Sequence, residues 1–421
     1  MPLLYDLGIG AYHGAIRLSS LWNPKAAAWV KGRAQLWERM EQAAPKLQGC
    51  LWMHCASVGE FEQGRPVLEA IKAQRPDMPV LLTFFSPSGY EARKHEPLAT
   101  HVEYLPPDSR SNAGALLRLV RPSAAIFVKY EFWYHHLHAL QSHRVPVFLV
   151  SALFRKDQPF FKWYGGAWRS MLRCFTHIFT QDEASLRPLD GLGVRAASVG
   201  GDTRFDRVAA IASATHDLPL ARAFAGNAPV LVCGSTWPED DALLAAALAH
   251  ASKAAPKCIM VPHELQEAQL AAIERAFPKP LARWSELAHS PLESVAAMLG
   301  AENKGTLLVD EMGLLARLYR YGQVAYVGGG FTGGIHSLLE AAAWGVPVIF
   351  GPKHRKFPEA QGLIDAGAGQ EVRNAAELQA AWRRWLDDPQ ALGKASAAAA
   401  RYVQERTGGA GRVAGAVVAA M

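Results

Sequence analysis

The chain reads as an α/β protein built of two doubly wound parallel-sheet units, and three observations predict this. It has 421 residues, and a single core rarely grows past roughly 250–300 residues, so two domains are expected. Short runs rich in Val, Ile, Leu and Phe recur along its whole length, each followed by a helix-like stretch. Those runs are nearly continuous in apolar residues instead of alternating, the mark of strands buried on both faces of a parallel sheet.

In the first half the runs are LWMHCAS, VLLTFFS, AAIFVKY, VPVFLVS and HIFTQD; in the second they are PVLVCGS, KCIMVP, TLLVD, VAYVGGG and PVIFGP. The break between the series falls in RVAAIASATHDLPLARAFAGNAP. We divide the chain into residues 1–30, a membrane-associating helical region; 31–212, the first sheet domain; and 213–421, the second. Ligands in such folds sit beyond the carboxyl ends of the strands, so the residues closing each run are the candidates for chemistry. Two such units facing each other would leave a cleft between them.

Half the residues are hydrophobic and 19% are charged, as in a folded globular protein. The net charge of +6 is lodged N-terminally: residues 1–210 carry 25 Lys and Arg against 18 Asp and Glu, the remainder 19 against 20. Such a field favours an anionic partner. Five cysteines with no close-spaced pair argue against a disulfide framework and a tetrathiolate zinc site. The opening MPLLYDLGIGAYHGAIRLSSLW has no basic residue before its apolar run and carries Asp6 within it, so it is a poor secretory signal. It is also too short and glycine-broken to span a bilayer, which needs about 20 apolar residues. Together with LWNPKAAAWVKGR, and with FRKDQPFFKWYGGAWRS at residues 154–170, it mixes aromatic and basic residues as a helix lying in a lipid interface does.

In HCASVGEFEQGRP, Ser57 and Glu60 fit a reciprocal helix-capping box. Glu60 also stands where a central strand hands over to a helix, whose positive end is expected to hold it ionised at neutral pH. An ionised carboxylate there can accept a proton from an attacking hydroxyl. TFFSPSGYEA places Ser86 before Pro87 as an N-cap whose helix end could seat an anion. FVKYEFW puts Lys129 and a second carboxylate, Glu131, at another strand edge.

The strongest signal of the second half is VAYVGGGFTGGIHSLLEAAAWGVPVIFGP, a buried strand running through glycines into a helix, suited to cradle a phosphate on backbone amides at residues 333–337. His336 and Glu340 are four apart, hence on one face of that helix, with Glu340 reaching toward a ribose diol. Gly328, Gly330 and Gly333 also match a dinucleotide pattern, and the basic loop Lys353, His354, Arg355 and Lys356 makes an NADP-dependent oxidoreductase one alternative. A non-catalytic, membrane-attached nucleotide-sugar binder is another. The cluster His135, His136 and His138 lacks Cys or carboxylate ligands at suitable spacing, and no metal site is expected.

The stretches ASVGEFEQGRPVLEAI, TFFSPSGYEA, KYEFWYHHL, SALFRKDQPFFKWYGG, GDTRFD, GSTWPEDD, VPHE, LLVDEMGLLARLY and GGGFTGGIHSLLEAAAWGVPVIFGP resemble, in order along the chain, the Kdo transferases, which attach 3-deoxy-D-manno-octulosonic acid to the lipid A precursor. The resemblance implies a GT-B fold, CMP-Kdo as donor, an acylated phosphorylated lipid A precursor (lipid IVA) as acceptor, and inverting transfer without metal or cofactor. It implies Glu60 as general base, a functional role for Glu131, and Glu340 on the nucleotide ribose. It also implies a site at the cytoplasmic face of the bacterial inner membrane, peripheral or monotopic, and no nucleic-acid partner. The candidate donor contacts are Ser235, Pro262, His263, Gly333, Gly334, Ile335, His336, Ser337 and Glu340. The candidate acceptor contacts are Ser57, Gly59, Ser86, Ser88, Lys129, Arg155 and Lys162. The chain departs from the commoner family pattern in two places. Pro262, His263 and Glu264 stand where many members have Pro-Arg-His, and Ser337 and Leu338 stand where many have Asn-Pro.

Overall fold

A computed structural model gives the structure of the chain and describes residues 2–214, 217–251, 255–293, 295, 299 and 305–421. The described residues divide into two compact units, 1–207 with 407–421, and 208–406.

The first unit holds seven parallel strands: β1 (Leu51–Cys55), β2 (Val80–Phe84), β3 (His101–Tyr104), β4 (Ala124–Val128), β5 (Val147–Ala152), β6 (His177–Thr180) and β7 (Ala197–Val199). Their order in the sheet is β3-β2-β1-β4-β5-β6-β7. Strands β1, β2, β4 and β5 are buried at every residue. The chain winds outward from β1 in one direction and from β4 in the other, so the strand order reverses between them. At such a switch point the loops leaving two neighbouring strands diverge to opposite faces and open a crevice at their carboxyl ends.

The second unit repeats the plan with β8 (Val230–Thr236), β9 (Lys257–Pro262), β10 (Leu281–Arg283), β11 (Thr306–Leu308), β12 (Val324–Val327), β13 (Val348–Phe350) and β14 (Gly369–Glu371), in the order β10-β11-β9-β8-β12-β13-β14. Its reversal lies between β8 and β12. The four strands that the sequence pattern did not announce, β3, β7, β10 and β14, are the outermost strands of the two sheets. An edge strand packs on fewer neighbours, and these are short and part-exposed, so their composition lacks the apolar run that marks a central strand.

The division read from sequence carried the second domain to residue 421. The last helix, Gly409–Ala420, instead belongs to the first unit, where Ala410, Val413, Ala414 and Val417 join the core formed with Val67, Leu68 and Ile71 of the helix Val58–Gln74. Asp206 anchors its start by accepting the Gly408 amide at 2.7 Å and the Ala410 amide at 3.2 Å. An alanine- and valine-rich helix satisfies the faces of either sheet equally in composition, and tertiary packing chooses.

The N-terminal helix Pro2–Ser19 turns its half-buried stripe, Tyr5, Ile9, His13 and Ile16, toward the unit. Tyr5 donates to Asp108 at 2.5 Å, and Asp6 meets His135 Nε2 at 2.5 Å. Leu3, Leu4, Leu7 and Leu18 point outward and are more than half exposed, as are Leu21 and Trp22 just beyond. No described helix is long and apolar enough to cross a membrane.

Candidate active site

In the first unit, the crevice between β1 and β4 collects both predicted carboxylates. Glu60 lies in the first turn of the helix that follows β1, and Glu131 follows β4, two strands paired in register from Leu51 opposite Ala124 to His54 opposite Phe127. The chain leaves β4 through Lys129, which is left-handed at φ +66°. A side-chain-bearing residue reaches that region at a cost of about 1–3 kcal/mol, strain that concentrates at functional sites.

The capping box is only half formed. The Glu60 carboxylate accepts the Ser57 and Ala56 amides, but the Ser57 hydroxyl makes no cap bond. Nor is Glu60 held fully ionised. Burial pushes its carboxyl up to about 7, the negative charge of Glu131 adds to this, and the Ala56 amide and Lys129 oppose it. Burial costs the anion more hydration than the helix end returns. The result is a carboxylate poised near neutrality, the condition for efficient proton transfer at that pH. Cys55, the nearest thiol, is held neutral by burial and by the Glu60 charge.

The predicted acceptor residues are spread over several loops. Gly59 is exposed in the first helical turn after β1. One strand away, Ser86 spends its hydroxyl capping the helix Pro87–Arg93 through the Gly89 amide at 3.0 Å, with the Ser88 hydroxyl 3.5 Å from it. Arg155 lines a separate 360 Å³ cavity with Tyr130, Phe132, Gln158, Phe160 and Trp168. Half-buried Lys162 follows the short 3-10 turn Pro159–Phe161. The three histidines after Glu131 point to three different partners: Asp6, the Pro106 carbonyl and the Tyr134 carbonyl. Among the described residues no group of three His, Cys, Asp or Glu side chains is gathered to hold a metal.

In the second unit, the carboxyl ends of β8 and β12 converge in the same way. Ser235 is left-handed at φ +52°, where the pairing of β8 with β9 slips between Gly234 and Thr236. Trp237 follows, and its indole donates to His336 Nε2 at 3.0 Å. That nitrogen is therefore an acceptor and the ring neutral, in keeping with a proton affinity lowered by burial and by His263. His263 stacks on His336 with ring centroids 4.3 Å apart and lies 4.8 Å from Trp237, giving a three-ring wall. Pro262 closes β9 immediately before it.

The glycine turn is pinned by a residue the sequence reading passed over. Asp240, fully buried, accepts the Tyr326 hydroxyl at 2.6 Å, the Gly329 amide at 2.8 Å and the Trp237 amide at 3.0 Å. One carboxylate thus joins the ends of β8 and β12. It leaves no room for a side chain at Gly328, where a Cβ would stand 2.5 Å from the Ser235 carbonyl and 2.8 Å from Asp240 Oδ2.

Two expectations are corrected here. The helix after the turn is only Leu339–Ala343, so His336 precedes it and does not share a helical face with Glu340. Further, the amides of Gly334 and His336 are spent on the carbonyls of Gly329 and Gly328, at 3.0 and 3.1 Å, which takes two donors from the supposed phosphate cradle. Gly334 sits at φ +134° beneath Phe357. Ile335 is buried, so only its backbone is available to a ligand, while Ser337 is half-buried between the turn and the helix. The neighbouring 440 Å³ cavity is lined by Gly333, Lys353, Arg355, Lys356, Glu371 and Arg373. There four cations face one carboxylate, and that carboxylate is engaged by His354 and Arg373 at 2.8 Å each. The glycine turn also follows β12, the fifth strand of its unit in chain order, instead of the opening strand that a dinucleotide fingerprint requires.

Two Rossmann-like units, one carrying a poised carboxylate and the other an aromatic wall and a cationic cavity, make up a GT-B fold. The fold is shared with the UDP-GlcNAc 2-epimerase of Neisseria meningitidis bound to UDP-GlcNAc (TM-score 0.58, 14% identity, covering 88% of this chain and 98% of that one). It is shared also with MurG of Acinetobacter baumannii (TM-score 0.54, 12% identity, 88% and 99%). The chain is similar to the Kdo transferases, the family its sequence motifs resemble. Residues 33–207 match the family model described as 3-deoxy-D-manno-octulosonic-acid transferase (kdotransferase). The chain is 28% identical over 349 residues to the 3-deoxy-D-manno-octulosonic acid transferase of Aquifex aeolicus strain VF5, covering 80% of this chain and 86% of that protein. It is 28% identical over 397 residues to that of Bordetella pertussis, covering 88% and 89%.

Proposed function

We propose that the protein transfers Kdo from CMP-Kdo to a hydroxyl of an acylated, phosphorylated lipid A precursor, lipid IVA, with inversion at the anomeric carbon. The observation that carries the reading is Glu60, a carboxylate at the switch point of the first unit whose proton affinity is raised to about 7. Glu60 takes the proton of the acceptor hydroxyl as that oxygen bonds to the anomeric carbon, and the bond from that carbon to the phosphate oxygen breaks with its electron pair leaving on CMP. Lys353, Arg355, Lys356 and Arg373 receive the charge that develops on the departing phosphate. The scheme has no step that needs a metal or cofactor. The Trp237, His263 and His336 wall suits the cytosine ring, and Glu340 the ribose.

Incubation with CMP-Kdo and lipid IVA, followed by mass spectrometry, tests the reading: the acceptor gains the mass of Kdo as CMP appears. An acceptor of unchanged mass after prolonged incubation overturns it. In calorimetry, Glu340→Ala is expected to weaken CMP binding about tenfold, or about 1.4 kcal/mol; equal affinity removes Glu340 from the donor site.

We place the reaction at the cytoplasmic face of the inner membrane, the protein resting on the bilayer as a peripheral or monotopic enzyme through the outward leucines of its first helix. Trp163, at 92% exposure, marks a second apolar contact in the first unit. Leu4, Leu7 and Leu18 each replaced by Glu leaves the inward stripe intact and is expected to move the protein from sedimenting liposomes with anionic lipid to the supernatant. Equal sedimentation of variant and parent rules out this face as the anchor.

A further inference from the structure

Behind the carboxylates of the first unit runs a buried chain of hydrogen bonds. Trp52 Nε1 donates to Thr83 Oγ1 at 2.9 Å, Thr83 Oγ1 lies 2.9 Å from His54 Nδ1, and His54 Nε2 lies 2.8 Å from Glu131 Oε2. Trp133 Nε1 donates to that same oxygen at 2.7 Å. Trp52, His54 and Thr83 are almost wholly excluded from solvent.

Thr83 and Glu131 hold the His54 imidazole from its two sides. An indole nitrogen only donates, so the Thr83 oxygen accepts from Trp52; the same hydroxyl reaches the Met53 carbonyl at 3.4 Å, and His54 Nδ1 lies against both the Thr83 hydroxyl and the Thr83 carbonyl, the latter at 3.1 Å. A bare Nε2 at 2.8 Å from a carboxylate oxygen would set two lone pairs against each other, so Nε2 carries the hydrogen and donates to Glu131. The 3.2 Å approach of Trp133 Nε1 to His54 Nε2 follows from two donors converging on one oxygen. The ring is thus held on both sides, at Nδ1 by Thr83 and at Nε2 by Glu131.

We propose that His54 and Thr83 are positioning residues for the transfer reaction: held at Nδ1 by Thr83, the imidazole joins Trp133 in pinning the Glu131 carboxylate at the switch point beside Glu60. The inference rests on the reading of Glu60 as the base. A fixed negative charge there opposes ionisation of Glu60 and so strengthens it as a proton acceptor. Deprived of a well-placed His54, Glu131 keeps only Trp133 and is free to turn away from Glu60, which removes the opposing charge. The other ionisable groups around the pair are few. Lys129 opposes the effect, Cys55 and His136 are held neutral by burial, and Glu62 is paired with Arg93 and Arg207.

The test compares Thr83→Val, which keeps the shape and removes the hydroxyl, with Thr83→Ser, which restores it, and with His54→Gln. In protein carrying 13C-carboxyl glutamate, the Glu60 resonance is the one that Glu60→Gln abolishes. Its titration midpoint is expected to fall by about one pH unit in Thr83→Val and His54→Gln and to return to the parent value in Thr83→Ser. With CMP-Kdo and lipid IVA, kcat/KM at neutral pH is expected to fall roughly tenfold in the first two variants, with CMP affinity unchanged. Circular dichroism establishes folding, and Thr83→Val against Thr83→Ser decides the matter if His54→Gln does not fold. A folded Thr83→Val in which Glu60 titrates as in the parent overturns the inference whatever the activity. A displaced titration in a protein that transfers no Kdo upholds the positioning of Glu131 and overturns the proposed function instead.

Discussion

Glu60→Gln is expected to fold normally and to turn over at least about 100-fold more slowly than the parent, because an amide cannot take up the acceptor's proton. The parent's kcat/KM should climb as pH rises through about 7, where Glu60 ionises, and the variant should lose that limb. Stability should move the opposite way. The folded-state proton affinity of Glu60 is raised from 4.5 to about 7, so between those values the folded chain binds more protons than the unfolded one. The contribution of this group to stability therefore declines as pH rises through that window and is smallest above it. Gln does not titrate and can still accept the Ala56 amide through its carbonyl oxygen. The melting temperature of Glu60→Gln minus that of the parent should accordingly be near zero around pH 4 and positive at pH 8. Near-parental turnover reduces Glu60 to a helix-start acceptor; a difference that does not change with pH removes the physical basis for its basicity.

Asp240→Ala is expected to cost about 3 kcal/mol and to abolish measurable CMP binding. It strands the Tyr326 hydroxyl and the Gly329 and Trp237 amides, all now bonded to one fully buried carboxylate. Hydrogen bonds to a charged partner contribute roughly 1.5–3 kcal/mol each, and donors left buried without an acceptor cost more than a bond that was never made. For a unit of this size the melting temperature should drop by about 6–12 °C. Asp240→Asn, which keeps one acceptor oxygen, should fall between variant and parent. An Asp240→Ala protein that melts with the parent and binds CMP as well would mean that the glycine turn holds its shape unaided.

These two carboxylates illustrate what could be read from sequence and what could not. Glu60 was legible because it follows an unmistakable central strand and the carboxyl ends of such strands are where ligands sit. Asp240 lies one helical turn beyond a strand in GSTWPEDD, among three consecutive acidic residues, and nothing in that pattern says which of them turns inward. His54 and Thr83 are polar residues inside apolar runs, which reads as ordinary strand composition until the register of β1 on β2 brings them opposite each other. His336 and Glu340 were spaced for a shared helix face, but the glycine turn uses up residues 334–337 before the helix begins.

Local sequence by itself determined the central strands, the α/β class and the position of Glu60, because apolar runs buried on both faces and the strand-to-helix handover are properties of neighbouring residues. Strand order, the assignment of the last helix to the first unit, the burial that leaves Glu60 near neutrality, and the Asp240 and His54 networks were decided only by tertiary structure. Each of these depends on which distant segments share a face, and on how much water their packing removes from a charge.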